Sequence, residues 1–294
     1  MAAGSLRAAR AGLGLALALL AASSAGVAQA QPTLEVSSPR AKPGDALLLT
    51  VEGAAGMPSG TLGDRPLAFF PFARGFRAVA ALPIELPPGA PVPVTVEVPG
   101  EGDAGPGALT AAVAVEDPQF RETRLRVASR YVEPPPKVRR WIKADQQAFN
   151  RAFAQPFVPP LFREGFDWPR RAELTSHYGD QRVFNGKKKS QHYGLDLQGK
   201  VGDPILSVND GQVVMVRQCY ASGGSVVINH GAGVYSVYFH LSRFQVKEGQ
   251  TVRRGEQIGL VGKSGRATGP HLHWSMKVAG LYVDPESILR MDFK

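Results

Sequence analysis

Residues 225–241 read SVVINHGAGVYSVYFHL, two runs rich in β-branched and aromatic residues around a glycine-rich turn. That is the pattern of a strand pair, and its neighbours repeat it. Upstream, DPILSVNDGQVVMV (203–216) offers two strands around Asn209, Asp210 and Gly211, where Asp-Gly is a strong hairpin signal. Downstream, GQTVRRGEQIGLVGKSG (249–265) repeats the rhythm of strand and glycine, and GPHLHWSMKVAGLYVDP (269–285) closes with a hairpin. Little here has helical periodicity. Residues 166–294 are therefore expected to form a curved, mainly antiparallel sheet with a groove.

Into this sheet the chain places four of its six histidines. His271 and His273 stand two apart, and in an extended strand that spacing puts both rings on one face. In SQHYGLDLQG (190–199) His192 and Asp196 stand four apart, which again means one face of an extended backbone. Nitrogen and carboxylate donors suit zinc, and a catalytic zinc takes three protein ligands and leaves a fourth position open. His192, Asp196 and one of the His271/His273 pair would complete such a set, with His240 in VYFHLSRF (237–244) at hand.

HYGLD, YFHLS, the glycine-rich VKEGQTVRRGEQIGLVG and TGPHLHW together resemble the LytM-type, lysostaphin-like (M23) zinc metallopeptidases, over about residues 172–286. The resemblance implies a zinc ion (Zn2+) held by His192, Asp196 and His273, with His240 and His271 as catalytic histidines that do not bind the metal. Trp274 stands where this family more usually has Phe. The implied activity is endopeptidase cleavage of peptide cross-links in bacterial peptidoglycan. The two alternatives are a non-catalytic wall-binding regulator of other hydrolases and a peptidase acting on exported proteins. A regulator of that kind usually lacks zinc ligands, and here all three are present.

The remaining candidates read as structural. His230 in NHGAG sits at a turn, where local hydrogen bonding is expected, and His177 in TSHYG is expected at the surface or in packing. Lys187, Lys188 and Lys189 read as a loop of solvated charge, and the glycines of VGKSGRATG as turns without a Walker pattern. Cys219 is the single cysteine, so no intrachain disulfide forms and the fold depends on its core.

The N-terminal half has a different character. Arg7 and Arg10, the apolar run GLGLALALLAA (12–22) and VAQA (27–30) have the order of a secretory signal, too short for a membrane span. Cleavage after Ala30 would expose Gln31, with no cysteine for lipid attachment. Loss of Arg7 and Arg10 lowers the net charge from +9 to +7, which favours polyanionic surroundings such as cell wall. The protein is thus expected to be exported, periplasmic or extracellular, with peptidoglycan rather than nucleic acid as partner and no membrane span after signal cleavage.

From residue 31 to 132 short β segments (LEVSS, ALLLTVEG, FRAVAAL, VPVTVEV, LTAAVAVED, TRLRVAS) are punctuated by Pro and Gly turns, which suggests an Ig-like β-sandwich. YVEPPPK (131–137) reads as a stiff linker. VRRWIKADQQAFNRAF (138–153) then places Trp141, Ile142, Ala148, Phe149, Ala152 and Phe153 on one helical stripe, with charged residues opposite. The whole is a mainly β chain: signal 1–30, β-sandwich 31–132, Pro-rich linker and docking helix 133–165, peptidase-like domain 166–294. A sandwich without histidine or cysteine, joined by such a linker, is also placed to restrain the site, so intramolecular inhibition by the N-terminal domain is a further expectation.

Overall fold

The computed structural model describes residues 1–2, 31–100 and 105–293. The export signal expected in residues 1–30 lies outside the described residues beyond its first two. From Gln31 onward the chain forms one compact unit, mainly β, in which antiparallel pairing predominates. Among the described residues no helix is long and apolar enough to cross a membrane.

Two sheets build the N-terminal part. One runs in the order Thr33–Val36, Ala46–Glu52, Gly75–Ala81, Phe70–Phe72; the other runs Arg40–Ala41, Gly107–Val115, Val92–Val98, Ser59–Leu62, Arg65–Pro66. Leu47, Leu49 and Val51 of the first meet Leu62, Val94, Val96 and Val113 of the second in a shared core. Each fully buried side chain of this size contributes roughly 2 kcal/mol. The strand Val92–Val98 alternates buried and exposed, as a half-buried strand should. Ala46–Glu52 does not alternate, because its other face is also covered: Ala46 and Leu48, with Val79 and Ala81, join the C-terminal core containing Leu195 and Trp274. An unbroken apolar run is what burial on both faces requires. Backbone bonds finish the joint, with Asp284 N–H donating to Gly44 O (2.7 Å) and Ala46 N–H to Ser287 Oγ (2.9 Å).

The main C-terminal sheet is antiparallel, in the order Leu174–Ser176, Leu195–Gln198, His271–Val278, Val234–Leu241, Gly223–Asn229, Gly211–Cys219, Thr251–Val252. Leu281–Val283 hairpins onto His271–Val278. Leu272, Trp274, Met276 and Val278 point into the core, together with Leu195 and Leu197. The alternate residues His271, His273, Ser275 and Lys277 therefore share the opposite face with Asp196.

Three expectations need correction. Asp210-Gly211 makes no hairpin: Pro204–Leu206 pairs with Gln257–Leu260 in a separate three-stranded sheet, while Gly211–Cys219 enters the main sheet. The Asn209 amide donates to the carbonyls of Glu164 and Gly165 (3.0 and 3.3 Å), which anchors this segment as a crossing between sheets. Second, the segment TRLRVAS leaves the sandwich. Glu122–Leu125 pairs in parallel with Gln181–Phe184, and the Asn185 side chain clasps the Val127 N–H and C=O (both 2.9 Å). Third, Lys188 and Lys189 lie in a strand, Lys188–Gln191, joined to Gln181–Phe184 by Asn185-Gly186-Lys187. Asn185 and Gly186 have positive φ (51° and 69°), and the Lys187 N–H donates to Phe184 O (3.0 Å), closing a three-residue hairpin loop.

The helix Arg139–Phe153 (α1) lies on the face of the main sheet opposite the core. Ala148 and Ala152 are buried against Met215, Val227, Tyr235 and Val237, with Phe149 and Phe153 beside them. Its first turn departs from the expected stripe. Trp141 and Ile142 stay 42% and 36% exposed, and Asp145 is buried in their place, accepting from Arg217 Nε and the Tyr220 N–H (both 2.8 Å).

Candidate functional site

Asp196 and His273 are direct cross-strand partners in the pair Leu195–Gln198/His271–Val278, and Phe239 is the partner of His273 on its other side. His192 reaches the same point from the loop before Leu195. That loop must pass close to His273: a Cβ on Gly194 would lie 2.4 Å from Trp274 O and 3.0 Å from His273 Cε1. The glycine of HYGLD is therefore a steric requirement of the site. The donor atoms of His192, Asp196 and His273 all lie within 4.8 Å of one another.

Their proton inventory favours a cation. His192 Nδ1–H donates to the His177 carbonyl at 2.6 Å, so its Nε2 presents a lone pair. The Ser275 hydroxyl lies 2.8 Å from His273 Nε2 and can accept its N–H, and in that tautomer the Nδ1 lone pair turns inward. His192 Nε2 and His273 Nδ1 then face each other at 3.0 Å, and Asp196 Oδ1 lies 3.1 and 2.9 Å from them. Two lone pairs and a carboxylate aimed at one point repel unless a cation stands between them, and the nitrogen and oxygen set suits a divalent metal of the zinc type. Burial lowers His273 to about 4 against the pull of Asp196, so the ring is neutral at neutral pH.

His240 and His271 flank this set, their ring centroids 4.7 Å apart. Each donates Nδ1–H to a backbone carbonyl, His240 to Ser264 (2.7 Å) and His271 to Gly269 (2.9 Å), so each leaves Nε2 free. His271 Nε2 lies 3.7 Å from Asp196 Oδ1. Burial, reinforced by His271 and His273, lowers His240 to about 3. Strict alternation would have turned His240 into the core, because Tyr238 points there. A register shift against Gly223–Asn229 and a left-handed backbone at His240 (φ 66°) bring it onto the face of His273.

The remaining histidines behave as structural groups. His230 is buried, bridging Asp210 O and Ser236 Oγ (both 2.7 Å), and burial lowers it to about 4. His177 is exposed and contributes only its carbonyl. Cys219 is buried, and burial raises its thiol.

Several contributors went unread in the sequence. Arg182, on the Asn-Gly hairpin, donates to Asp196 Oδ2 and to Ser176 Oγ (2.7 Å). Phe239 stacks on His273 with centroids 5.1 Å apart. Phe149, Asn150 and Phe153 of α1 form one wall of a cleft of about 480 Å³ whose floor carries His192, His240 and His273. A second opening of about 340 Å³ reaches Asp196, His240 and His271 beside Thr123 and Leu125. The Asn-Gly dipeptide was the available signal for the hairpin. Nothing local signalled that α1 borders the cleft.

Comparison with known proteins matches residues 190–285 to peptidase family M23. The chain is 46% identical over 108 residues to the peptidoglycan DD-endopeptidase ShyA of Vibrio cholerae, covering 36% of this chain and 25% of ShyA. It is 40% identical over 140 residues to ShyB of the same organism, covering 47% of this chain and 30% of ShyB. The match thus spans about a quarter to a third of those relatives. A crystal structure from Pseudomonas aeruginosa assigned to peptidase M23 superposes with a TM-score of 0.61 at 26% identity, covering 84% of this chain and 94% of that one. This chain carries a peptidase M23 domain.

Proposed function

We propose that the protein is an exported zinc-dependent endopeptidase that hydrolyses peptide cross-links of peptidoglycan. The observation that carries this reading is the convergence of the His192, Asp196 and His273 donor atoms at the floor of a cleft, with two further imidazole lone pairs beside them. The relatives named as peptidoglycan endopeptidases support the substrate class. The basic charge and the leader-like N-terminus support export to where cell wall is found.

His192 Nε2, Asp196 Oδ1 and His273 Nδ1 would hold the zinc. When bound, zinc supplies a Lewis acid and lowers the pKa of water from about 15.7 to about 7. The protein's own contribution is positioning and proton transfer. The carbonyls of Ser264 and Gly269 fix His240 and His271 in the tautomer whose Nε2 can accept a proton from the attacking water. Once protonated, the same Nε2–H can donate to the oxyanion or to the leaving amine. Phe239 and the aromatic residues of α1 keep one wall apolar, which strengthens each of these charge interactions.

The test is digestion of purified sacculi by metal-loaded protein, with and without a chelator, followed by mass spectrometry of the released fragments. Chelator-sensitive peptide-bond cleavage is expected. A folded, zinc-loaded protein that releases no peptide fragments would show the reading to be wrong.

A further inference from the structure

Arg266 is the one guanidinium at the cleft with no carboxylate to answer it. It lies in the loop before His271, where its backbone N–H donates to Ala221 O at 2.7 Å. The adjacent Gly265 (φ 73°) is packed so tightly that a Cβ there would lie 2.4 Å from Ala221 O, so the loop is held firmly. The guanidinium lies over the Phe184 ring, 4.4 Å from its centroid, and lines both openings of the site together with Arg182 and His240. Arg182 is committed to Asp196 and Ser176. Asp145, the other carboxylate of the cleft wall, is committed to Arg217 and Tyr220. Among the described residues the Arg266 side chain has no ion pair and no hydrogen bond, only the ring beneath it. Burial and the nearby Arg182 charge both lower its affinity for a proton, and Lys188 is lowered by burial first and then by Arg266.

The charges do not balance. Arg182 and Arg266 line the opening that holds one protein carboxylate, Asp196, which Arg182 and the two ligand histidines already occupy. A planar guanidinium held over a ring, half withdrawn from water and with its donors unmatched by the protein, is suited to a bidentate carboxylate. We propose that Arg266 binds a free carboxylate of the peptide substrate beside the scissile bond, and so determines specificity for unamidated peptides. The proposal rests on the peptidase reading above and names the chemistry that reading lacks. The carboxylate could be a side-chain group or a chain terminus, and Arg266 would engage either through the same fork.

The experiment uses the full zinc-loaded protein and a set of synthetic cross-linked peptides in which each carboxylate is converted, one at a time, to the carboxamide. In the wild-type protein one conversion is expected to raise KM by roughly 10- to 100-fold, the scale of a charge-assisted hydrogen-bonded pair. Its position identifies a side-chain or a terminal carboxylate. Arg266→Ala should cleave the acid and the amide alike, at the rate the wild type shows on the amide, and Arg266→Lys should recover part of the preference. Calorimetric titration of the product peptides should show the same preference without turnover. Cleavage of every amide by the wild type within twofold of its acid would overturn the proposal without involving any variant. So would an equal loss on acid and amide in an Arg266→Ala protein that keeps its zinc and melting temperature. Failure of the wild type to cleave any of the set would instead refute the peptidase reading.

Discussion

A left-handed backbone at a residue with a bulky side chain costs on the order of 1–3 kcal/mol, and His240 adopts it (φ 66°) at the point where strand alternation would have hidden its ring. The strain makes sense if the ring is needed on the metal face but not as a ligand, and substitution separates the two roles. His192→Ala or Asp196→Ala should lose zinc and activity together, since each removes one of three donors. His240→Ala or His271→Ala should keep about one zinc per chain and lower turnover by roughly 100-fold or more. Metal content by atomic emission, read beside the rate, checks both, and metal loss from either catalytic variant would mean that the labels are exchanged. HLH was legible because a period of two places its side chains without knowledge of the fold, whereas His192 of HYGLD arrives from the bend before the strand that carries Asp196 and the period did not place it. Their roles came from resemblance to a family and not from spacing. The face of His240 depends on a bulge, and the partners of Arg182 and Arg266 on a hairpin and a loop folding back, so neither could be read locally.

At the scale of elements the strands were legible where one face is wet or where a buried run is bounded by turns. Ala46–Glu52, Val92–Val98 and Val234–Leu241 fall close to where the sequence places them. Pairing was less legible. An Asp-Gly between strands of different sheets looks the same, in sequence, as one inside a hairpin, and Glu122–Leu125 finds its partner about sixty residues away. The helix shows the same limit: its period predicted a packed stripe, but the buried Asp145 is explained only by Arg217 and Tyr220. Removing that carboxylate should matter at two levels. Asp145→Ala leaves a buried N–H and a guanidinium unsatisfied, at a cost of roughly 1–3 kcal/mol, and loosens the wall of the cleft. A lower melting temperature and a raised KM with little change in kcat are expected. Asp145→Asn, which can still accept from the Tyr220 N–H, should recover much of the stability. Calorimetry and steady-state kinetics on the three proteins test this, and an unchanged melting temperature in Asp145→Ala would show that the contact contributes nothing.

For the whole molecule, the residues that line the cleft belong to α1, to residues 123–127 and to residues 175–282, and none to residues 31–117. Any restraint on the site would therefore act through α1 and residues 123–127. A chain starting at Phe166 should melt lower, because it uncovers Met215, Val227, Tyr235 and Val237. Faster cleavage of small soluble muropeptides per folded molecule would support restraint, and equal rates would exclude it. The joint between the two halves carries its own signature. Asp284 caps the helix Pro285–Leu289 (α2) by accepting from the Glu286 N–H (3.0 Å), and its own N–H donates to Gly44 O. Burial raises its carboxyl from 3.8 to about 6; the charges of Asp45 and Glu286 add to this, while the Glu286 N–H and Arg290 oppose it. The folded protein thus holds a proton that the unfolded chain releases near pH 4. Between about pH 4 and 6 the folded state binds more protons, so stability from this group is present below that window and is lost as pH rises through it. Asp284→Asn retains a capping side chain of similar strength and cannot ionise. Wild type and variant should melt together near pH 4, with the variant more stable at pH 7 by on the order of 1–3 kcal/mol. Chelated samples of both proteins keep the metal ligands from entering the comparison. A difference in melting temperature that is the same at both pH values would show that Asp284 does not hold the proton.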